Sequence, residues 1–292
     1  MIPEIVLKTN TKYPSAAQGQ RLDDIILAMQ NFDVVCLQEV FGGIYSETRC
    51  KLIPLAVKAG FLYHVEDDDP HFASTYISDG GLMILSRFPI VGRACQPFSY
   101  SQEQDGLVRR SCLYAKIKLA HRKHLHIFTT HMCSSHWLPA ERAPKMLRLS
   151  LEARKIQIRE ACEFVKECLD EEFEDSTDCA LLTGDFNVDR NQASSVMRGK
   201  LEKSNSDFKP LLDQLDREYQ DVLLPTLDAH LGKRFKVEDL LKTQLSGWDS
   251  DKVLITYGDY TIDNKTGREV PTDTVLTAEI EHCSKQCLDY IF

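Results

Sequence analysis

The stretch that most constrains this chain is Cys179 to Asp189, CALLTGDFNVD. Ala180 to Thr183 are small or apolar and suit a short buried strand. Gly184 breaks the run and lets the backbone turn tightly. Asp185 and Asn187 follow at the strand's C-terminal end, and two residues apart in an extended stretch they point to the same side. Asp185 offers an anionic oxygen ligand, while Asn187 is a neutral amide that can donate to a phosphoryl oxygen or a bound water. A hydrolase of phosphate esters needs that pair: charge for a hard metal ion, and donors for the transferring group. Gly, Asp and Asn are also ordinary turn residues, so GDFN alone leaves a plain strand-to-loop turn equally open.

Other stretches repeat the pattern. Val34 to Leu37 reads as a buried strand that ends on Gln38-Glu39-Val40. Glu39 therefore sits where a strand meets solvent, the place where α/β folds put their ligands. Leu113 to Leu119 alternates apolar and polar residues, as does His124 to Thr130, and together they predict a hairpin turning near Ala120 to Lys123. His131 closes its second strand at the same kind of boundary. A lone glutamate or histidine at a strand end is ordinarily structural. Three polar groups at equivalent strand ends point to a site.

The remaining elements frame these ends. Ile5 to Leu7 reads as a first strand ending near Asn10, and helices are expected at Arg21 to Asn31 and Arg49 to Ala59. A helix over Ala140 to Phe173 carries a stripe of Leu147, Leu151, Ile158, Ala161, Val165 and Leu169, interrupted at Arg154, with its charged remainder in solvent. Gly80-Gly81 precedes a buried strand at Leu82 to Ser86. The acidic run Glu66 to Asp69 reads as a solvated loop, with a calcium site as the lesser alternative. Trp137 follows His131 in a loop, to touch a lipid surface or cap the core. The chain closes on a strand, Leu288 to Phe292, that begins at once with the acid Asp289. There is no internal repeat or low-complexity linker, so one domain over residues 1–292 is expected.

Composition excludes several classes. A chain of 292 residues that is 43% hydrophobic and 27% charged can bury a real core and is not disordered. A formal net charge of −9 argues against a broad basic surface for nucleic acid, so no stable nucleic-acid partner is expected. Ten cysteines are scattered without a C-x-x-C pair, which weakens a zinc reading and suggests free thiols in a reducing compartment. No signal peptide or bilayer-spanning window is visible. The expectation is a cytoplasmic monomer that visits membranes peripherally.

Asn10, Leu37-Gln38-Glu39-Val40, Gly81 to Ile90, Thr130-His131, Gly184 to Asn187 and Leu288 to Ile291 follow one another in an order that resembles the exonuclease-endonuclease-phosphatase superfamily, with its DNase I-like fold. Within it, the chain most resembles the neutral, magnesium-dependent sphingomyelinases. GGLMILSRFPIV, the loop with Asp105, the helix with Arg154 and Gln157, and LDYIF carry that likeness. The resemblance implies an α/β (α+β) four-layer sandwich: two mixed sheets face to face, helices outside, and the site at one end. It implies Glu39 as the principal Mg2+ ligand, with Mn2+ as an alternative ion, and Asn10 near the metal and its water. Asp185 and Asn187 would orient the nucleophilic water and hold phosphoryl oxygens, and His131 would contact the phosphate in the transition state. The implied reaction is sphingomyelin hydrolysis to ceramide and phosphocholine, on a phospholipid or sphingolipid substrate at a membrane surface.

Three departures qualify the likeness. The family usually ends in Ser/Thr-Asp-His, whose histidine is the general base, and the sequence stops at Phe292 before any such motif. Asp289 resembles the carboxylate that orients that histidine. The expectation is a C-terminally incomplete domain with an unpaired edge, or a catalyst slowed by about two to four orders of magnitude. The usual Asp with Lys-Gly five residues on is here Asp105 with Arg110-Ser111, so this substrate-binding pair carries over only in charge. Thr9 replaces the usual aromatic before Asn10. The alternatives are a magnesium-dependent endonuclease of the abasic-site or DNase I type, and a lipid- or partner-binding protein that keeps the fold without the base.

Overall fold

The structure, a computed structural model, describes residues 15–42, 47–68, 76, 78–101, 108–135, 143–191, 208–246, 254–258, 261–270 and 285–292. The chain divides into two compact units, Met1–Met132 with Glu163–Gly184, and Cys133–Cys162 with Asp185–Phe292. The expected strand at Ile5 to Leu7 and the loop with Trp137 lie outside the described residues.

The first unit opens with helix α1 (Ser15–Met29), strand β1 (Val34–Leu37), helix α2 (Glu47–Lys58) and strand β2 (Tyr63–Glu66). Short β3 (Ser78–Asp79) precedes β4 (Met83–Ser86) and β5 (Ile90–Pro97). Short β6 (Val108–Arg109) precedes the hairpin of β7 (Ser111–Ala120) and β8 (Lys123–His131). The C-terminal part of helix α3 (Ala143–Glu172) and strand β9 (Cys179–Asp185), up to Gly184, complete it.

One sheet runs β1-β4-β2, antiparallel throughout, with Leu37 opposite Met83 and Glu66 opposite Met83 on the other side. In the second sheet β9, β8, β7 and β5 follow one another. The hairpin registers from Cys112 opposite Thr130 to Ala120 opposite Lys123, close to the expected turn.

Strand periodicity then explains the layering. Met83 and Leu85 of β4 face Leu22, Met29, Leu52 and Ala56 of α1 and α2. Ile84 alternates to the other face and meets Leu113, Ala115 and Ile117 of β7. The far face of β7 is covered as well, where Tyr114 stacks on Phe128 and Phe128 meets the edge of Phe164 on α3. Helices, sheet, sheet and helix thus form the expected layers within this unit. Burying both faces of β7 stabilises the fold by about 25 cal/mol for each Å2 of apolar surface removed from water.

Two expectations need correction. Only part of the acidic run is a solvated loop: Glu66 ends β2, Asp67 is 4% exposed and accepts the Gly80 N–H at 2.9 Å and the Ser111 hydroxyl at 2.7 Å, and Asp68 is exposed. Burial nevertheless pushes the Asp67 carboxyl above its ordinary pKa, partly offset by the Ser111 bond. Arg154 does not merely interrupt a stripe. It is fully buried in the second unit, forked onto Glu218 at 2.8 and 2.7 Å.

The second unit holds the N-terminal part of α3, then α4 (Phe208–Leu215), a π-turn at Tyr219–Leu223, α5 (Leu224–Leu231) and α6 (Leu240–Ser246). Two short strand pairs follow, β10 (Tyr257–Gly258) with β13 (Lys285–Gln286), and β11 (Thr261–Ile262) with β12 (Glu269–Val270). Strand β14 (Asp289–Ile291) is last. Leu147 packs on Phe208, Leu211, Leu212 and Leu215. A second cluster is aromatic: Phe186 meets Tyr290 and Phe292 edge-on, each at 5.7 Å, and Tyr219 stacks on Tyr290 at 5.4 Å.

Candidate active site

Glu39 follows β1 as expected, with an exposed side chain and a backbone φ of 60°. That left-handed conformation costs a non-glycine residue about 1–2 kcal/mol, so its surroundings must impose it. They do so from both sides. The Val40 N–H donates to the Gly81 carbonyl at 2.9 Å. Gly81 has φ +70°, and a Cβ there would lie 3.0 Å from the Glu39 Cα, so the Gly80-Gly81 pair permits the approach. Gln38 turns the other way and donates to the Thr129 hydroxyl at 3.1 Å.

His131 closes β8 and is 3% exposed. Arg110, itself 6% exposed, brings Nη1 to 2.5 Å from His131 Nδ1. Arginine can only donate, so Nδ1 is the acceptor and the ring proton sits on Nε2. Arg110 therefore orients a histidine, a role its reading as a substrate-binding residue does not contain.

Gly184 has φ +133°, and a Cβ there would lie 2.1 Å from the Thr130 carbonyl, so only glycine fits. Beyond it the expected strand alternation fails. Asn187 has φ 54°, and it meets Asp185 through an Asx turn in which Asp185 Oδ1 accepts the Asn187 N–H at 2.8 Å. What links the two residues is this turn rather than an extended strand. Phe186, 1% exposed between them, anchors the turn in the aromatic cluster.

Asp289 begins β14, its N–H on the Thr256 hydroxyl at 3.1 Å. Burial pushes its carboxyl above the ordinary range, and a hydrogen bond from Thr256 offsets part of that. Asp189 gave no signal as a supporting residue in the sequence. Its Oδ1 accepts the N–H groups of Asn191 at 2.9 Å and Cys287 at 3.0 Å, tying the end of the GDFNVD turn to the segment before β14. Arg154 and Gln157 likewise anchor the chain after β8. Arg154 Nη1 donates to the Cys133 carbonyl and the Ser135 hydroxyl, both at 3.0 Å, and Gln157 Oε1 accepts the Cys133 N–H at 2.8 Å. Asn10 and Asp105 lie outside the described residues.

Among the described residues, no three His, Cys, Asp or Glu side chains are grouped as a metal cage. The exposed strand-end carboxylate of the first unit, Glu39, is an oxygen donor. Such a donor fits a hard divalent cation that takes one or two carboxylates and keeps several waters. It does not fit zinc, which favours nitrogen and sulfur. No disulfide joins the described cysteines, and no described helix is long and apolar enough to cross a membrane.

A mixed α/β fold of layered sheets, with carboxylates and amides at strand ends, defines a class. The model of the Endonuclease/Exonuclease/phosphatase family matches residues 10–221, and the chain belongs to that family. It is 28% identical to a sphingomyelinase of Dictyostelium discoideum, over 98% of this chain and 62% of the relative. It is 27% identical to a sphingomyelinase C of Bacillus cereus, over 65% of this chain and 56% of the relative. The matches thus span about three-fifths of the length of these relatives. A doubly substituted beta toxin of Staphylococcus aureus with bound magnesium ions aligns over 98% of this chain and 93% of its own, at 19% identity and a TM-score of 0.51. That likeness is one of fold.

Proposed function

We propose that the chain is a magnesium-dependent phosphodiesterase, a hydrolase that cleaves sphingomyelin at a membrane surface to ceramide and phosphocholine by in-line attack of water. The observation that carries this reading is the exposed Glu39 carboxylate, held at a strand end on a strained backbone. The names of the relatives support sphingomyelin as the substrate, and the magnesium of the Staphylococcus aureus protein supports that ion.

Glu39 would hold the cation as its principal ligand, with Asn10 assigned as a second ligand. When bound, magnesium supplies Lewis-acid stabilisation of charge on the phosphoryl and leaving-group oxygens, and manganese can take the same oxygen ligands. Asp185 orients the attacking water, and the Asn187 amide donates to a phosphoryl oxygen. His131, with its proton fixed on Nε2 by Arg110, donates to the phosphoryl group as charge develops. Asp289, the carboxylate that would orient a general-base histidine, is assigned to catalysis, and Asp105 and Arg110 to substrate binding. Residues 1–292 are read as part of a single domain of the family's type that acts as a monomer.

The test is phosphocholine release from sphingomyelin in mixed micelles, run beside nicking of abasic duplex DNA. Magnesium-dependent phosphocholine release with intact DNA is expected. Magnesium-dependent DNA nicking without phosphocholine release would replace this reading with the endonuclease. Neither reaction, from a protein that still binds the micelles, would leave a lipid-binding protein.

A further inference from the structure

The turn that carries Glu39 rests on a buried ionic clamp outside the residues given a catalytic role above. Arg49, on α2, donates from Nε and Nη2 to the Val40 carbonyl at 3.2 and 2.9 Å. The same guanidinium pairs with Asp79 through Nη2 and with Glu66 at 3.1 Å through Nη1. Asp79 is fully buried, and its other oxygen accepts the N–H groups of Gly42 at 2.9 Å and Gly81 at 3.1 Å. Ser78 completes the grip by donating to the Gly42 carbonyl at 3.1 Å.

The bonds of this clamp to the backbone all end on residues 40 to 42 or on Gly81, the segments that flank Glu39, while its side-chain pairs join Arg49 to Asp79 and Glu66. Gly42 shows how little slack remains: a Cβ there would lie 2.4 Å from Arg49 Nη1 and 2.7 Å from Asp79 Oδ2. A buried charge pair is a poor way to gain stability, since desolvation cancels much of its attraction. It does fix direction, because a planar guanidinium and a carboxylate accept partners only along set lines. Holding glutamate in a left-handed backbone that it disfavours is a task that needs fixed direction.

We infer that Arg49 and Asp79 are positioning residues that set the divalent-cation affinity of Glu39. The inference rests on the reading of Glu39 as the cation ligand. Partners hydrogen-bonded to a metal ligand typically change metal affinity about 10–100-fold when removed, and Arg49 and Asp79 act one step further back, through the backbone beside Glu39.

The experiment compares the wild type with Asp79→Asn, Arg49→Lys and Glu66→Gln. Two quantities are read for each: the magnesium concentration at half-maximal phosphocholine release, and the magnesium-induced rise in melting temperature without substrate, which reports binding to the folded state alone. Asp79→Asn and Arg49→Lys are expected to raise the half-saturating magnesium concentration about tenfold or more, leave kcat at saturating magnesium near wild type, and flatten the thermal shift. Glu66→Gln keeps the Arg49–Asp79 pair and is expected to move both quantities least, in the same direction. It also provides the reading if the buried variants do not fold. Lower melting temperatures with an unchanged magnesium requirement would overturn the inference and leave a structural clamp. A wild type with no magnesium requirement and no thermal shift would overturn the cation reading of Glu39 itself.

Discussion

The two turns that carry the candidate ligands solve one problem by different physics. After β1 and after β9 the chain places a polar residue, Glu39 or Asn187, in a left-handed conformation at φ 60° and 54°. Around Glu39 the restraint is ionic, with Arg49 and Asp79 gripping the backbone on either side and Glu66 pairing with Arg49. Around Asn187 it is apolar, with Phe186 locked against Tyr290 and Phe292 and only an Asx turn added locally. Asparagine tolerates that conformation, so packing suffices. Glutamate does not, and its turn needs direction as well as burial.

The largest effect separating the two turns is expected at Gly184. Gly184→Ala would drive a Cβ into the Thr130 backbone and lose about 4 kcal/mol or more, measured by urea unfolding. Phe186→Ala should follow, with a loss of about 3–5 kcal/mol from the cavity left in the aromatic cluster. At the ionic turn, Asp79→Asn keeps the acceptor for Gly42 and Gly81 while stripping the charge beside Arg49, for a loss of about 2 kcal/mol. The smallest effects sharpen the contrast most. Glu39→Gly should gain about 0.5–1 kcal/mol by relieving its backbone while abolishing activity, whereas Asn187→Gly should stay within about 0.5 kcal/mol. Equal stability changes at the two positions would erase the distinction.

Acid probes a third place, the end of β8 away from His131. Burial acts to raise the Asp178 pKa, but the His124 and Glu174 N–H groups and the His126 and His124 rings outweigh it and hold the carboxyl at about 2. Its contribution is therefore present above the unfolded value of 3.8 and lost as pH falls toward about 2. Burial lowers the pKa of His126 below 6.5, against its hydrogen bond to Asp178, so stability also declines as pH falls below 6.5, where the unfolded ring takes up a proton first. Unfolding midpoints should fall steadily from pH 6.5 to 2, and Asp178→Asn should flatten the part below 3.8.

Much of this was legible in the sequence. Alternation in Leu113 to Thr130 and the apolar run at Val34 to Leu37 predict strands that form as expected, because hydrophobic period follows burial directly. Strand-end logic also places Glu39, His131 and Asp185 at or just past the ends of β1, β8 and β9, where they lie. The supports of those residues were not legible. Arg49 looks like any helical arginine, Asp79 like a loop acid and Arg154 like a break in a stripe. Each acts through a partner between 30 and 64 positions away, and no local pattern encodes such a pairing. The acidic run misled for the same reason, since Asp67 is buried by Gly80 and Ser111, which are remote in sequence. Glu39's strained backbone was invisible because nothing in the residue type asks for it.

The central claim is that Glu39 binds a divalent cation that the hydrolysis of a phosphodiester requires. The most direct measurement is isothermal titration of magnesium into metal-stripped wild-type protein and Glu39→Gln, with phosphocholine release followed on the same samples. A saturable heat and magnesium-restored release in the wild type, both absent in Glu39→Gln, is the expected result. Equal magnesium binding in the two proteins would contradict the account.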